Sequence, residues 1–181
     1  RIFCQKKVVY FGYSGEACDS SLDMAFNKKR ANDRKNWLSN YDKEGVVDTD
    51  KNYIHFEDFI NKELIHFSKY DCERSIPNVI DGLKISQRKI LFAAFKRKLK
   101  KEVKVAQFSG YVAEHTNYHH GEQCLMGTII GMAQDFPGAN NVPPLVRDGQ
   151  FGTRLHGGKD AASPRYIFTK LKFNTGYLCL F

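Results

Sequence analysis

Hydrophobic residues in the first half of the chain recur mainly at helical spacing. Between positions 56 and 67, five apolar residues recur at three- and four-residue spacing, which predicts an amphipathic helix. Upstream of it, residues 7–11 predict a short strand, residues 22–38 predict helical segments, and the polar residues 39–52 predict a connector.

The centre of the chain carries the pattern of two short helices joined by a tight turn. Apolar residues predict one helix over residues 103–112 and a second over 122–133, with a glycine-containing turn at 116–121 between them. A helix-turn-helix lays its second helix in the major groove of DNA, although an ordinary helical hairpin has the same pattern. Before it, residues 74–82 predict an extended stretch, and Ser86 predicts the N-cap of a basic helix.

The pattern changes again after Pro137. Two adjacent prolines at 143 and 144, an Asp148-Gly149 turn and residues 150–154 predict a β-hairpin. Two helices followed by a hairpin are the order of a winged helix. The sequence therefore predicts an α+β fold, mainly helical, in which a winged-helix domain with a β-wing follows the end of an α/β domain.

Positive charge is concentrated in one segment of this basic chain. The net charge is +8, and between Lys84 and Lys104 nine lysines or arginines stand against the single acid Glu102. A block of this kind is often only the solvated face of a helix. Its density and its position before the helix-turn-helix pattern favour a polyanionic partner instead.

Composition narrows the class of protein further. The apolar runs are short and interrupted by charge, so the sequence predicts no membrane-spanning segment and no secretory signal. Five scattered cysteines without a C-x-x-C pair favour reduced thiols inside a cell over disulfides or a zinc site. The chain begins with Arg1 instead of methionine, so we expect it to be part of a longer polypeptide.

One dipeptide near the end of the chain combines a nucleophile with a charge partner. Tyr166 follows Arg165 shortly after the glycine turn at residues 157–160. A free phenol has a pKa of about 10, so at neutral pH it attacks poorly unless its phenolate is stabilised. A neighbouring guanidinium supplies that stabilisation and also binds phosphate through two parallel hydrogen bonds. An Arg-Tyr pair alone does not establish catalysis.

Other polar residues have structural as well as functional interpretations. His119 and His120 stand in a predicted turn, where such a ring often caps a helix. His115 and His119 have the spacing of helical metal ligands, but no third ligand accompanies them, so no metal site is predicted. Arg74 alone is typical of a surface ion pair. Residues 157–159 look like part of a phosphate-binding glycine loop but lack the full Walker spacing.

A series of short motifs carries a resemblance to a known family. They occupy residues 74–84, 87–89, 104–107, 118–122, 133–136, 150–154, 157–160 and 164–169. In these stretches the chain resembles the breakage-reunion region of eukaryotic type II DNA topoisomerases. Residues 33–38 and 59–65 are similar to the join between that region and the family's metal-binding domain, so the resemblance extends to about Leu171.

The resemblance implies a catalytic role for four residues. Tyr166 would attack a backbone phosphate and become joined to the 5′ end of the broken strand. Arg165 would stabilise the developing charge, Arg74 would contact the same phosphate, and His120 would hydrogen-bond it. The implied DNA-binding residues are Lys84, Arg88, Lys89, Lys104, Gln107 and Lys159. No metal ligand is implied within this chain.

The resemblance also implies the organisation and partners of the protein. Residues 1–52 would form the end of a Toprim domain and a connector, residues 53–171 the winged-helix cleavage domain, and residues 172–181 a divergent or truncated tail. The enzyme would be an ATP-dependent isomerase that acts on double-stranded DNA as a homodimer in the nucleus. Its Mg²⁺ and ATP would bind outside this chain, which alone is not expected to relax DNA.

A winged-helix DNA-binding module without chemistry is the alternative. Such a module accounts equally well for the basic block and for the helix-turn-helix. It gives no reason for Arg74, His120, Arg165 and Tyr166 to occur together within their motifs.

Overall fold

The computed structural model describes residues 8–48 and 50–178. Near its start, strand β1 (Tyr10–Gly12) pairs in parallel with strand β2 (Tyr53–His55). The chain folds as two units that divide between Ile76 and Pro77, whereas the sequence placed the boundary after residue 52. The difference arises because a strand folds with the partner that completes its hydrogen bonds. The pairing of β2 with β1 therefore keeps the residues after 52 in the first unit.

The first unit is a small mixed α/β structure. Its elements after β1 are α1 (Glu16–Phe26), α2 (Ala31–Ser39), β2, α3 (Phe56–Phe59), a π-helical turn (Ile60–Leu64) and α4 (Ile65–Ser75). The predicted helical segments are confirmed, while Lys7 of the predicted strand lies outside the described residues. The ring of Phe11 packs on those of Phe56 and Phe59, at centroid distances of 5.2 and 5.4 Å, and so holds β1 against the helix that follows β2.

One continuous helical segment runs from α3 through the π-helical turn to the end of α4. It contains the predicted amphipathic helix and extends further, so the prediction of an extended stretch beginning at Arg74 is wrong. The helix ends at Ser75 because Ile76 precedes Pro77, and a residue before proline avoids the α region. Arg74 is exposed in the last turn, where a cation interacts favourably with the negative end of the helix dipole.

Three helices open the regular structure of the second unit. They are α5 (Ile85–Lys96), α6 (Val105–Thr116) and α7 (Glu122–Ala133). The predicted helix-turn-helix is confirmed in α6 and α7, although residues 103 and 104 belong to a strand. The prediction that Ser86 caps α5 is wrong, because the N-cap is Lys84, whose N–H donates to Oε1 of Gln87 at 2.8 Å. A glutamine three residues after the N-cap satisfies a terminal donor as in a capping box.

Three short antiparallel strands form the wing. They are β3 (Val103–Lys104), β4 (Leu145–Asp148) and β5 (Phe168–Leu171), in the spatial order β3-β5-β4. The hairpin predicted through residues 150–154 is wrong, because β4 pairs with β5, from Leu145 opposite Leu171 to Asp148 opposite Phe168. Residues 149–167 form a loop between these strands, which we call the Tyr166 loop. The helices and this sheet together make a winged-helix fold.

One hydrophobic core joins the helices and the sheet of the second unit. Its fully buried members include Ile90, Ala94, Phe108, Val112, Leu125, Ile129, Phe151 and Ile167. Burying a phenylalanine or isoleucine side chain stabilises the folded state by about 1.5–3 kcal/mol. Because Phe151 and Ile167 belong to the Tyr166 loop, that loop is held in the core near both of its ends.

The residues after β5 continue along the second unit. The hydroxyl of buried Thr175, at the start of α8 (Thr175–Leu178), donates to the carbonyl oxygen of Pro144 at 2.7 Å. The end of the predicted tail, residues 179–181, lies outside the described residues. Across residues 8–48 and 50–178, no helix combines the length and apolarity that crossing a membrane requires.

Two polar side chains hold the Tyr166 loop in shape. Nε2 of Gln134, the residue after α7, donates to the carbonyl oxygens of Phe151 at 2.8 Å and Gly158 at 3.4 Å. The carboxylate of Asp160 accepts hydrogen bonds from the N–H and the hydroxyl of Thr153, at 2.8 and 2.9 Å. These contacts fold residues 151–160 back on themselves, so the exposed part of the loop has a defined backbone.

The close approach of Gly152 to Gly158 is testable by substitution. Gly152 has φ +93°, and a Cβ there would lie 2.5 Å from the carbonyl oxygen of Gly158. Gly138 has a similar φ of +97° but open space around its Cβ position, so it is a matched control. We expect Gly152→Ala to lower the free energy of unfolding by about 1–3 kcal/mol more than Gly138→Ala. Chemical denaturation measures both variants, and equal losses would contradict the close packing.

Acid is expected to weaken the same loop. The hydrogen bonds from Thr153 hold the pKa of Asp160 below its ordinary value of 3.8. A carboxylate with a lowered pKa stabilises the fold above its unfolded-state pKa, and this contribution is lost as pH falls through the folded-state pKa. We therefore expect Asp160→Asn to destabilise the chain at pH 7, with the difference from wild type shrinking below about pH 4. Denaturation at several pH values measures this difference in stability. A difference that does not change with pH would contradict a role for the charge of Asp160.

Candidate active site

Tyr166 projects from a stretch of backbone that is bound to the start of α6. The carbonyl oxygens of Pro164 and Ile167 accept hydrogen bonds from the N–H groups of Ala106 and Val105, at 3.1 and 3.0 Å. Ile167 is buried, whereas Tyr166 is 73% exposed. The carbonyls before and after the Arg165-Tyr166 pair thus fix the backbone of the tyrosine while its side chain faces solvent.

The local sequence explains this conformation. Pro164 has a fixed φ that suits a turn, and the turn is closed by the N–H of Tyr166, which donates to the carbonyl oxygen of Ser163 at 2.9 Å. Side chains alternate between the two faces of an extended chain. Because Ile167 and Thr169 are both buried at the entry to β5, Tyr166 lies on the outer face.

The start of α6 brings further predicted residues to the Tyr166 loop. Lys104 is the N-cap of α6, pairs with Phe168 across the sheet, and holds its ammonium nitrogen 6.0 Å from the centroid of that ring. Gln107 is exposed in the first turn of α6, and Arg165 is exposed beside Tyr166. The positive end of a helix dipole favours phosphate. One end of α6 therefore gathers a phenol, two cations and an amide.

A second group of predicted residues meets at the turn after α6, which we call the His120 turn (residues 117–121). Asn117 ends the helix in the left-handed conformation, with φ +46°. The ammonium group of Lys89 donates to the carbonyl oxygen of Asn117 at 3.2 Å and lies 5.9 Å from the centroid of the Tyr118 ring. The half-buried His120 ring meets Tyr118 edge-on at 5.5 Å. Lys89 and His120 therefore belong to one surface.

The Tyr166 loop and the His120 turn lie at opposite ends of α6. The helix has 12 residues, and a rise of 1.5 Å per residue separates its ends by about 18 Å. The family resemblance implies that His120 and Tyr166 contact one phosphate. Within a single chain, their points of attachment to α6 are therefore far apart.

The other predicted residues have different surroundings. Arg74 is exposed in the first unit, and Lys84 is exposed at the N-cap of α5. The guanidinium of Arg88 pairs with the carboxylate of Asp81 at 2.6 Å, so part of its charge is neutralised. Lys159 is exposed on the Tyr166 loop, in a turn whose backbone shape depends on Asp160 and Gln134.

Sequence reasoning did not single out some residues that shape or line this site. Gln134 stood only within a matching motif, because its partners are backbone carbonyls 17 and 24 residues away and leave no local signal. Arg154 and His156 are exposed on the same loop as Lys159 and extend its basic surface. The sequence signal that could have identified Arg154 and His156 was their closeness to Lys159 along the chain.

No metal site is formed by the residues that the structure describes. Among residues 8–48 and 50–178, no group of three or more His, Cys, Asp and Glu side chains is arranged to hold a metal ion. His115 stacks on Tyr111 at 4.0 Å, and its Nδ1 donates to the carbonyl oxygen of Tyr111 at 3.0 Å. Within the part of the chain that the structure describes, the donor groups therefore do not fit a divalent cation such as Mg²⁺.

Family models match almost the whole chain in two parts. Residues 74–180 match the model for the A subunit of DNA gyrase/topoisomerase IV, and residues 3–72 match the model for the C-terminal associated domain of TOPRIM. The chain is 54% identical over 175 residues to DNA topoisomerase 2-beta of Gallus gallus, and 53% identical to DNA topoisomerase 2-alpha of Homo sapiens. Each match covers 90% of this chain and 11% of the relative, so the chain spans about a tenth of their length.

A solved structure extends the similarity to the fold. The crystal structure of the Plasmodium falciparum topoisomerase II DNA-binding, cleavage and re-ligation domain matches with a TM-score of 0.76 and 54% identity. The match covers 92% of this chain and 23% of that one. The chain therefore belongs to the family of DNA gyrase/topoisomerase IV A subunits and is homologous to the DNA-binding, cleavage and re-ligation domain of type II DNA topoisomerases.

Proposed function

We propose that this chain supplies the nucleophile with which a type II DNA topoisomerase cuts and reseals double-stranded DNA. The observation that supports this most directly is Tyr166, a 73% exposed tyrosine on a backbone bound to the start of α6. A nucleophile has to be accessible to its substrate and held in one orientation, and this loop meets both requirements. Arg165 and Lys104 place positive charge at the same end of the helix.

The reaction that fits these groups is a transesterification. The phenolic oxygen of Tyr166 attacks a backbone phosphorus, the bond from phosphorus to the 3′ oxygen breaks, and the 5′ phosphate remains on the tyrosine. The phenol loses a proton and the departing 3′ oxygen gains one, so no oxidant or nucleotide is consumed. Attack by the 3′ hydroxyl reverses the step. Arg165, Arg74 and His120 stabilise the charge on the phosphoryl oxygens.

DNA contact in this proposal is mainly with phosphates. The contributing side chains are Lys84, Arg88, Lys89, Lys104, Gln107 and Lys159. Lysines and arginines that neutralise phosphates release counterions, so binding is expected to weaken steeply with salt. Arg88 and Lys89 lie on α5, Gln107 lies on α6 and Lys159 on the Tyr166 loop, while Lys84 and Lys104 are the N-caps of α5 and α6.

Mg²⁺ and ATP enter the proposal as groups held by other parts of the enzyme. The described residues form no acidic cluster for a metal, and the glycine turn at 157–159 lacks the Walker spacing. The eukaryotic type of the motifs supports a nuclear location for the proposed enzyme.

Removing the attacking oxygen tests the role of Tyr166. The test protein is an intact type II topoisomerase in which this chain replaces the corresponding region. With supercoiled plasmid and Mg²⁺, sudden denaturation is expected to trap a covalent protein–DNA adduct. Tyr166→Phe is expected to retain DNA binding and to form no adduct, because it keeps the ring and lacks the oxygen. Tyr10→Phe, at a tyrosine that is 65% exposed in the first unit, is the matched control and should form the adduct normally.

Two outcomes would contradict this assignment. An adduct at the normal level in Tyr166→Phe would mean that another group is the nucleophile. DNA binding without any adduct in the unsubstituted protein would support a winged-helix binding module without chemistry.

A site shared between two copies resolves the separation of His120 from Tyr166. The His120 turn and the Tyr166 loop lie about 18 Å apart along α6. One phosphate is therefore reached more easily by Tyr166 of one copy together with His120 of the other. Cleavage of both strands also requires two tyrosines. We therefore infer a homodimer in which each cleavage site takes residues from both copies.

Mixed dimers test this arrangement. His120→Ala and Tyr166→Phe copies of the same test protein are co-expressed with different affinity tags, and the mixed dimer is purified through both. In a shared site, one site of the mixed dimer is intact and the other carries both substitutions, so the dimer is expected to attach to one strand and nick the plasmid. If both residues act within one copy, neither site is intact. Nicking no greater than that of the His120→Ala homodimer would therefore contradict the shared site.

A further inference from the structure

The Tyr166 loop folds into two limbs that lie side by side. The first limb comprises residues 150–153 and the second comprises residues 158–162. Backbone hydrogen bonds join the limbs, among them the one from the N–H of Gly158 to the carbonyl oxygen of Thr153, at 2.8 Å. The second limb leads directly along the chain to Tyr166. The position of this limb therefore determines how the chain approaches the nucleophile.

One side chain from outside the loop binds both limbs. The amide nitrogen of Gln134, the residue after α7, donates to the carbonyl oxygen of Phe151 on the first limb at 2.8 Å and to that of Gly158 on the second at 3.4 Å. The packing is close as well, because a Cβ at Gly158 would overlap the same nitrogen. A primary amide has two N–H donors, so one half-buried glutamine satisfies a backbone carbonyl on each limb.

The segment that carries Tyr166 is thereby attached to both helices of the helix-turn-helix. Gln134 holds the second limb at the end of α7. The N–H groups of Val105 and Ala106 hold the backbone on either side of the tyrosine at the start of α6. In a helix-turn-helix, the second helix is the one that enters the major groove of DNA. The contact made by Gln134 therefore links the helix that meets DNA to the loop that carries the nucleophile.

We propose that Gln134 is a positioning residue for the cleavage reaction, which keeps Tyr166 aligned with the phosphate when α7 lies on DNA. This inference rests on the function proposed above. Gln134 acts through the backbone of the loop and not by touching the reacting atoms. A displacement of a reacting group by about 1 Å can slow a reaction about a hundredfold. Lys84 and Lys89, which contact phosphate in the proposal, belong to α5 and its N-cap, so the affinity for DNA is expected to depend little on Gln134.

The kinetics of adduct formation test this role in the intact topoisomerase that carries this chain. Gln134→Met keeps the length of the side chain and removes its donors. At saturating supercoiled plasmid with Mg²⁺, we expect the rate of covalent adduct formation to fall about 10–100-fold, with the half-saturating plasmid concentration unchanged. Asn140→Leu is the matched control, because the Asn140 amide also donates to two carbonyls at the end of α7, those of Gly131 and Gln134, at 2.7 and 2.8 Å, and both lie outside the loop. This control is expected to lose similar stability and to keep the rate.

A second variant adds a readout that depends on pH. In Gln134→Glu, an ionised carboxylate has no proton to donate to the two carbonyl oxygens, whereas the protonated acid can donate one again. Desolvation raises the pKa of a half-buried carboxyl, so the rate of this variant relative to the unsubstituted protein is expected to rise as pH falls from about 8 to about 6. The relative rate of Gln134→Met is expected to stay constant over the same range.

The outcomes separate this inference from the function on which it rests. Equal rates in Gln134→Met and Asn140→Leu would overturn the positioning role and leave the assignment of Tyr166 intact. A higher half-saturating plasmid concentration at an unchanged maximal rate would assign Gln134 to DNA binding and would also overturn it. If Gln134→Met melts below the assay temperature, Gln134→Glu decides, and a relative rate that does not change with pH would overturn the role. Absence of any adduct in the unsubstituted protein would overturn the proposed function together with this inference.

Discussion

Two backbone hydrogen bonds determine where Tyr166 stands. They run from the N–H groups of Val105 and Ala106, at the start of α6, to the carbonyl oxygens of Ile167 and Pro164. Each contributes only about 1 kcal/mol net, but both attach the tyrosine's backbone to a helix whose Val105 and Phe108 are buried. The loop therefore acquires the rigidity of the core. A phenol on an unanchored loop would have to be ordered each time DNA bound.

Helix α6 organises the site because each of its two ends contacts a different group of predicted site residues. Its start holds the Tyr166 loop and Lys104, and its end holds the His120 turn with Lys89. Lys89 and Lys104 each lie near an aromatic ring, a contact that contributes about 0.5–1 kcal/mol at exposed sites. An energy of this size is enough to favour one orientation of each ammonium group, but it is too small to determine the stability of the fold. The length of this helix thus supports the proposal of a site shared between two copies.

Local patterns were a good guide to the helices and a poor guide to their ends. The spacing of apolar residues located α7 over residues 122–133, since burial of one face follows directly from periodicity. Ser86 was expected to cap α5, but Lys84 with Gln87 takes that place. Several polar residues near a helix start can satisfy its free N–H groups, and the path of the preceding loop selects among them. The end of α4 was also misplaced. The helix continues through Arg74 to Ser75 and ends there because Ile76 precedes Pro77.

Sequence patterns alone were sufficient for the fold class, the helix-turn-helix, the basic segment and the family that the motifs resemble. They did not locate the second strand of the wing, because β4 pairs with β5 and not with the residues that follow its turn. The family resemblance implies that His120 and Tyr166 contact one phosphate, and only the structure shows that within one chain the two attach to opposite ends of α6. Strand pairing and the meeting of side chains depend on contacts between segments far apart in the chain. A pattern within a few residues records which face is buried, but it carries no information about what that face is buried against.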